Sequence, residues 1–103
     1  MSKLKITVIK KFSPEDVFGH KMTRHDTGKT IPICSIEEGK EYIVEDLYEM
    51  PDDFCPRVWY DTHDLITLFF YGGDMDYPEP GLTYITCNDG VRPVVFKYER
   101  IEK

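Results

Sequence analysis

Apolar and polar residues alternate from Leu4 to Phe12, with Leu4, Ile6 and Val8 on one side of an extended chain and Lys3, Lys5 and Thr7 on the other. A period of two predicts a β-strand with one wetted face. A short helix over about 14–18 follows, because Ser13 can cap it, Pro14 fits its first position and Asp16 sits where a capping box needs an acid. Phe12 and Val17 are spaced as a hydrophobic staple, and Gly19 ends the helix. Ile31–Ile36 and Glu41–Leu47 read as strands joined by Glu37-Glu38-Gly39-Lys40, a hairpin connection. Leu82–Cys87 and Val91–Ile101 form a second predicted hairpin around Asn88-Asp89-Gly90, with Pro93 at a strand start, bulge or edge.

The longest apolar stretch is Phe54 to Gly73, and its period is helical. Pro56 suits a first helical position, which makes Cys55 the N-cap, and Gly72-Gly73 supplies a left-handed stop. Cys55, Trp59, Thr62, Ile66 and Phe69/Phe70 share one stripe, widened by Val58, Leu65 and Leu68. Arg57, Asp61 and Asp64 make the wetter side. These segments predict an α+β fold: a mostly antiparallel, curved sheet of about five strands packed on one long central helix, about 56–71. Residues 1–103 read as a single domain. A helix this apolar also suggests a surface that a homodimer could share.

Composition narrows the function classes. Nineteen acids against thirteen bases give a net charge of −6, which argues against binding to nucleic-acid phosphates. No run approaches the roughly 18 apolar residues of a membrane span, and the alternating N-terminus is unlike a signal peptide. Three cysteines without a Cys-x-x-Cys pair fit free thiols in a reducing cytoplasm.

Most familiar motifs are missing. Gly28-Lys29-Thr30 resembles the tail of a phosphate-binding loop, but position 23 is Thr23 where that motif needs glycine, so a turn is expected. His20 and His25 lie in a polar loop, while Glu45, Asp46, Glu49, Asp52 and Asp53 form an acidic rim. Asp74-Met75-Asp76 lacks the glycine and closing glutamate of a calcium loop. Trp59, Phe69, Phe70 and Tyr71 are assigned to the core.

Candidate chemistry therefore centres on sulfur. A thiol at a helix N-terminus meets unpaired N–H groups that favour its ionised form; Arg57 adds to this, whereas Asp52 and Asp53 oppose it. Three readings follow. In the first, the protein is a binding or interaction module with its site near Cys55. In the second, Cys55 is the reactive group of a cysteine-dependent enzyme or redox protein, assisted by His63 or Cys87. In the third, Cys34, Cys55 and Cys87 hold zinc or iron, with His20, His25, His63 or an acid as fourth ligand.

Met50-Pro51, Phe54-Cys55, Trp59, Asp61, Gly72-Gly73, Cys87, Asp89-Gly90, Arg92-Pro93 and the closing VVFKYERI together resemble a family of small uncharacterised bacterial and archaeal proteins. The opening KITVIKKF and the Glu-Glu-Gly that follows Cys34 also fit. The resemblance implies cysteines at positions 34, 55 and 87. The chain departs from that pattern at Arg57, where an aromatic residue is frequent, and at Thr86, where a further cysteine is frequent. The resemblance implies kinship and brings no mechanism with it.

Overall fold

The computed structural model describes residues 3–102. It is an α+β fold with the order β1 (Lys3–Lys11), α1 (Pro14–Phe18), β2 (Glu41–Val44), α2 (Pro56–Asp61), α3 (His63–Phe70), β3 (Leu82–Thr86) and β4 (Val94–Glu102). The sheet has four antiparallel strands in the order β2-β1-β4-β3. Its inner face carries Leu4, Ile6, Val8, Tyr42, Val44, Val94, Phe96 and Tyr98, all buried. Phe54, Val58, Trp59, Ile66, Phe69 and Phe70 pack against them from the helical layer. On the outer face Lys5 lies between Glu41 and Glu99, at 3.5 and 3.6 Å. The alternation of β1 thus sorts its residues between an apolar layer and a charged ladder.

The local signals work where they are strongest. Ser13 Oγ accepts from the Asp16 amide at 3.1 Å, and the Asp16 carboxylate accepts from the Ser13 amide at 2.8 Å, completing the capping box of α1. Gly19 then ends it in the left-handed conformation, φ 80°. Gly72, at φ 88°, does the same after α3, with the Gly73 amide donating to Leu68 O at 2.8 Å. Gly28, also left-handed, and the Arg24–Lys29 backbone bond make the Gly28-Lys29-Thr30 triplet a turn.

Several expectations are corrected. The long central helix over 56–71 is two short helices broken at Thr62. Thr62 Oγ1 donates back to Val58 O at 2.7 Å and meets the buried Tyr98 hydroxyl at 2.7 Å. That sharing of a helical carbonyl bends the axis, and the anchor on Tyr98 of β4 holds the bend in place. The apolar stripe expected of one rod survives across the break, since Val58, Trp59, Ile66, Phe69 and Phe70 are buried within the chain. Tyr71, counted with the core aromatics, is 70% exposed beyond the end of α3.

The sheet also lacks the fifth strand expected at Ile31–Ile36, and β2 ends at Val44 where Leu47 was expected. Pro32 has no N–H to give a ladder. The carbonyls of Pro32 and Cys34 are taken instead by side chains: Arg92 Nη1 donates to Pro32 O at 3.1 Å and Lys11 Nζ to Cys34 O at 2.9 Å. β2 therefore pairs with β1, with Leu4 opposite Val44 and Ile6 opposite Tyr42. The expected second hairpin forms as β3 and β4, with Pro93 just outside the strand accepting a bond from the Phe12 amide at 2.9 Å.

A register shift in β1 decides how the site is built. Between Val8 and Lys10 the pairing with β4 slips, so that Lys11 stands opposite Val94, an inward residue. Unbroken alternation would have turned Lys11 outward with Lys3 and Lys5. The bulge turns it inward, to the carbonyl of Cys34.

Candidate functional site

Cys34, Cys55 and Cys87 come from three separate parts of the chain and line one cavity of about 240 Å³. Ile36, Val58, Val94 and Phe96 form its apolar wall, while Arg57, Asn88, Asp89 and Arg92 form its polar side. All three thiols are free and half-buried. Cys34 arrives on the irregular 31–36 segment, tethered by Lys11 and Arg92. Cys55 arrives as the N-cap of α2, where its side chain makes no capping bond. The last turn before α2 passes through Asp53 at φ 64°, whose carbonyl accepts a bond of 3.4 Å from the Tyr42 hydroxyl.

Cys87 differs from the other two. It closes the β3–β4 ladder, its amide bonding Val94 O at 3.0 Å, and its sulfur accepts the Val94 amide at 3.3 Å. Beside it, one carboxylate oxygen of Asp89 accepts from the amides of Val91 and Arg92, at 3.0 and 3.4 Å. The other oxygen meets Arg92 Nε at 3.4 Å. Partial burial alone would raise the Asp89 carboxyl and is the largest single influence on it. The two amides and the guanidinium together outweigh burial and hold the group below its ordinary value. Arg92 thereby links the β-hairpin turn to Pro32 and fixes the opening on that side.

A second cavity, of about 430 Å³, adjoins the first and shares Cys34, Ile36 and Cys55 with it. Its remaining lining includes Glu37, Lys40, Tyr42 and Asp53, and the Lys40 ammonium lies 5.1 Å from the centre of the Tyr42 ring. Cys34 and Cys55 thus border both spaces. Typical ligand sites span roughly 300–1,000 Å³, so the first cavity alone suits only a small occupant.

His63 is not brought to this site. Its Nε2 donates to Leu47 O at 2.7 Å and its ring stands edge-on to Trp59, centroids 5.3 Å apart, so the imidazole braces the 45–50 segment against the helices. His20 and His25 are exposed in the loop after α1 and line neither cysteine cavity. Glu45, Asp46, Glu49 and Asp52 line a separate open cleft, in which the Asp46 carboxylate accepts from the Tyr48 amide at 2.8 Å.

Among the described residues, no group of three or more His, Cys, Asp or Glu side chains is placed to hold a metal ion. The cysteines share a cavity without forming a ligand set, so the zinc or iron reading of Cys34, Cys55 and Cys87 gains no geometric support. Sequence reasoning overlooked Lys11, Asp89 and Arg92, the residues that position the walls. The turn signal at 88–90 marked Asp89 as structured, but nothing local pointed Arg92 toward Pro32.

No family model matches the chain, and no curated protein or solved structure matches it. Among the described residues, no helix is long and apolar enough to cross a membrane.

Proposed function

We propose that the protein is a small-ligand binding module whose site is the cysteine-lined cavity at the start of α2. The observation that carries this reading is the convergence of Cys34, Cys55 and Cys87 on one space with an apolar wall. Arg57 supplies the ligand's chemical class. It lies on the rim, exposed, and makes no hydrogen bond or ion pair among the described residues. An unpartnered guanidinium beside an apolar recess recognises a small organic carboxylate with an apolar body. Three unpaired thiols fit a reducing, cytoplasmic setting.

The test is a panel of small aryl and alkyl carboxylates, each paired with its neutral amide and followed by amide chemical shifts of the labelled protein. Carboxylates are expected to shift residues 34–36, 55–58 and 87–94 saturably, and the amides to bind more weakly. Arg57→Gln is expected to weaken carboxylate binding about 10-fold or more, since a charged hydrogen bond is worth roughly 1.5–3 kcal/mol. Shifts that map elsewhere, or affinity unchanged by Arg57→Gln, overturn the reading.

A second reading, cysteine-dependent chemistry at Cys55, is favoured by the presence of Cys87 in the same cavity. Its check is the pH dependence of Cys55 alkylation. A thiol unreactive up to about pH 9, above the ordinary cysteine value of about 8.5, removes it.

A further inference from the structure

We infer that Cys34 and Cys55 are a redox pair that closes to a disulfide in the presence of a peroxide, with Cys87 left as a free thiol. The inference stands apart from ligand binding, because the bond can form whether or not the cavity takes a carboxylate.

Three observations single out this pair among the three cysteines. Cys34 and Cys55 line both cavities, whereas Cys87 lines only the first. The two side chains thus border the same pair of spaces. Neither of their sulfurs makes a hydrogen bond among the described residues, while the Cys87 sulfur is held by the Val94 amide at 3.3 Å. The Cys34 segment belongs to no strand or helix and is tethered at its carbonyls by Lys11 and Arg92, so its thiol can approach Cys55 without breaking a ladder.

The chemistry closes without a cofactor. The Cys55 thiolate attacks one peroxide oxygen, the O–O bond breaks, and the departing hydroxide takes a proton to become water. This leaves a sulfenic acid on Cys55. The Cys34 thiol then attacks that sulfur, the S–S bond forms, and the sulfenic hydroxyl leaves as a second water with the Cys34 proton. Two thiols lose two electrons and one peroxide gains them; an external dithiol reverses the bond by exchange.

Peptide mapping of the full-length protein tests this directly, because trypsin places each cysteine in its own peptide: 30–40, 41–57 and 58–97. The reduced protein is treated with hydrogen peroxide, its remaining thiols are blocked, and the digest is analysed by mass spectrometry. The expected product links peptides 30–40 and 41–57, leaves Cys87 blocked as a single free thiol, and reverts to three thiols with dithiothreitol. In Cys34→Ser the reaction is expected to stop at a sulfenic acid on Cys55 that dimedone traps, and Cys87→Ser is expected to retain the link. A link involving Cys87, a bond between chains, or three free thiols after treatment overturns the inference. If Cys34→Ser fails to fold, the mapping of the unaltered protein still decides. Loss of the linked peptide leaves the Arg57-dependent carboxylate reading standing, and failure of carboxylate binding leaves the pair standing.

Discussion

The two ends of the helical layer are built on opposite terms. At the far end of α3, Arg100 of β4 is almost fully buried and spends its guanidinium on three partners: Phe69 O at 3.0 Å, Gly73 O at 2.8 Å and the Asp74 carboxylate at 2.9 Å. The same carboxylate accepts the Gly81 amide at 2.7 Å. Phe69 O also accepts the Gly72 amide at 3.1 Å, and the added buried cation suits the negative end of the helix dipole. At the start of α2 the N-cap is a thiol that makes no capping bond, and the space around it is open. One end satisfies its polar groups and gains rigidity. The other leaves thiols and Arg57 free for outside partners. Stability and chemistry are thereby kept about two helices apart, and each can be altered with limited effect on the other.

Substitutions that break this contrast are expected to rank as follows. Phe69→Ala, at a fully buried ring against Arg100, should cost about 3–5 kcal/mol by denaturant unfolding, the range for losing a buried aromatic side chain. Arg100→Ala should cost about 2–4 kcal/mol, because it leaves two carbonyls and a carboxylate without their cation. In any folded fraction the yield of the Cys34–Cys55 peptide should be unchanged. A large change in that yield would show that the two ends are coupled.

The hydroxyl at the break between the helices can be read by pH. Burial, the largest influence, pushes the Tyr98 phenol well above its usual 10.0, against a smaller opposing effect from Thr62. Above about pH 10 the unfolded chain loses this proton while the folded one keeps it, so stability falls as pH rises, by up to about 1.4 kcal/mol per unit. Tyr98→Phe should flatten that alkaline loss, and thermal unfolding between about pH 9 and 11 checks it. An unchanged slope would place the phenol's ionisation elsewhere.

At the cavity end the sign reverses. Asp89 is held below its ordinary 3.8, so its contribution is present above that value and is lost as pH falls through the lower folded one. Asp89→Asn should make the acid limb of the stability curve shallower below about pH 4. The smallest expected change is Cys55→Ser. A serine hydroxyl can accept the amide that the thiol leaves unbonded, so stability should hold or rise by up to about 1 kcal/mol. The disulfide peptide should vanish. A loss above about 2 kcal/mol would mean that the thiol's packing matters more than the contrast between the ends allows.

Much of the frame was legible along the chain because it rests on neighbours in sequence. The capping box of Ser13 and Asp16 is a contact three residues apart, and Gly19 and Gly72 answer a local need for positive φ. The inward set Leu4, Ile6 and Val8 follows from a period of two, and the turn at 88–90 from its own residues. Cys55 was legible as an N-cap from Pro56 alone. Less of the site could be read, since its cysteines are spaced 21 and 32 residues apart with no motif to join them.

Amino-acid order by itself determined the class of the fold, the strand faces, the first helix with its caps, and the place where the long apolar stretch begins and stops. The tertiary structure decided the rest through pairs that no local pattern encodes. Tyr98 reaches Thr62 across 36 residues and holds the bend there; Arg92 reaches Pro32 across 60, and Lys11 reaches Cys34 across 23. The last two take carbonyls of an expected fifth strand and turn that segment into the wall of a cavity. Such choices compare a ladder with long-range side-chain partners, and the balance between them exists only once the sheet has brought the partners together.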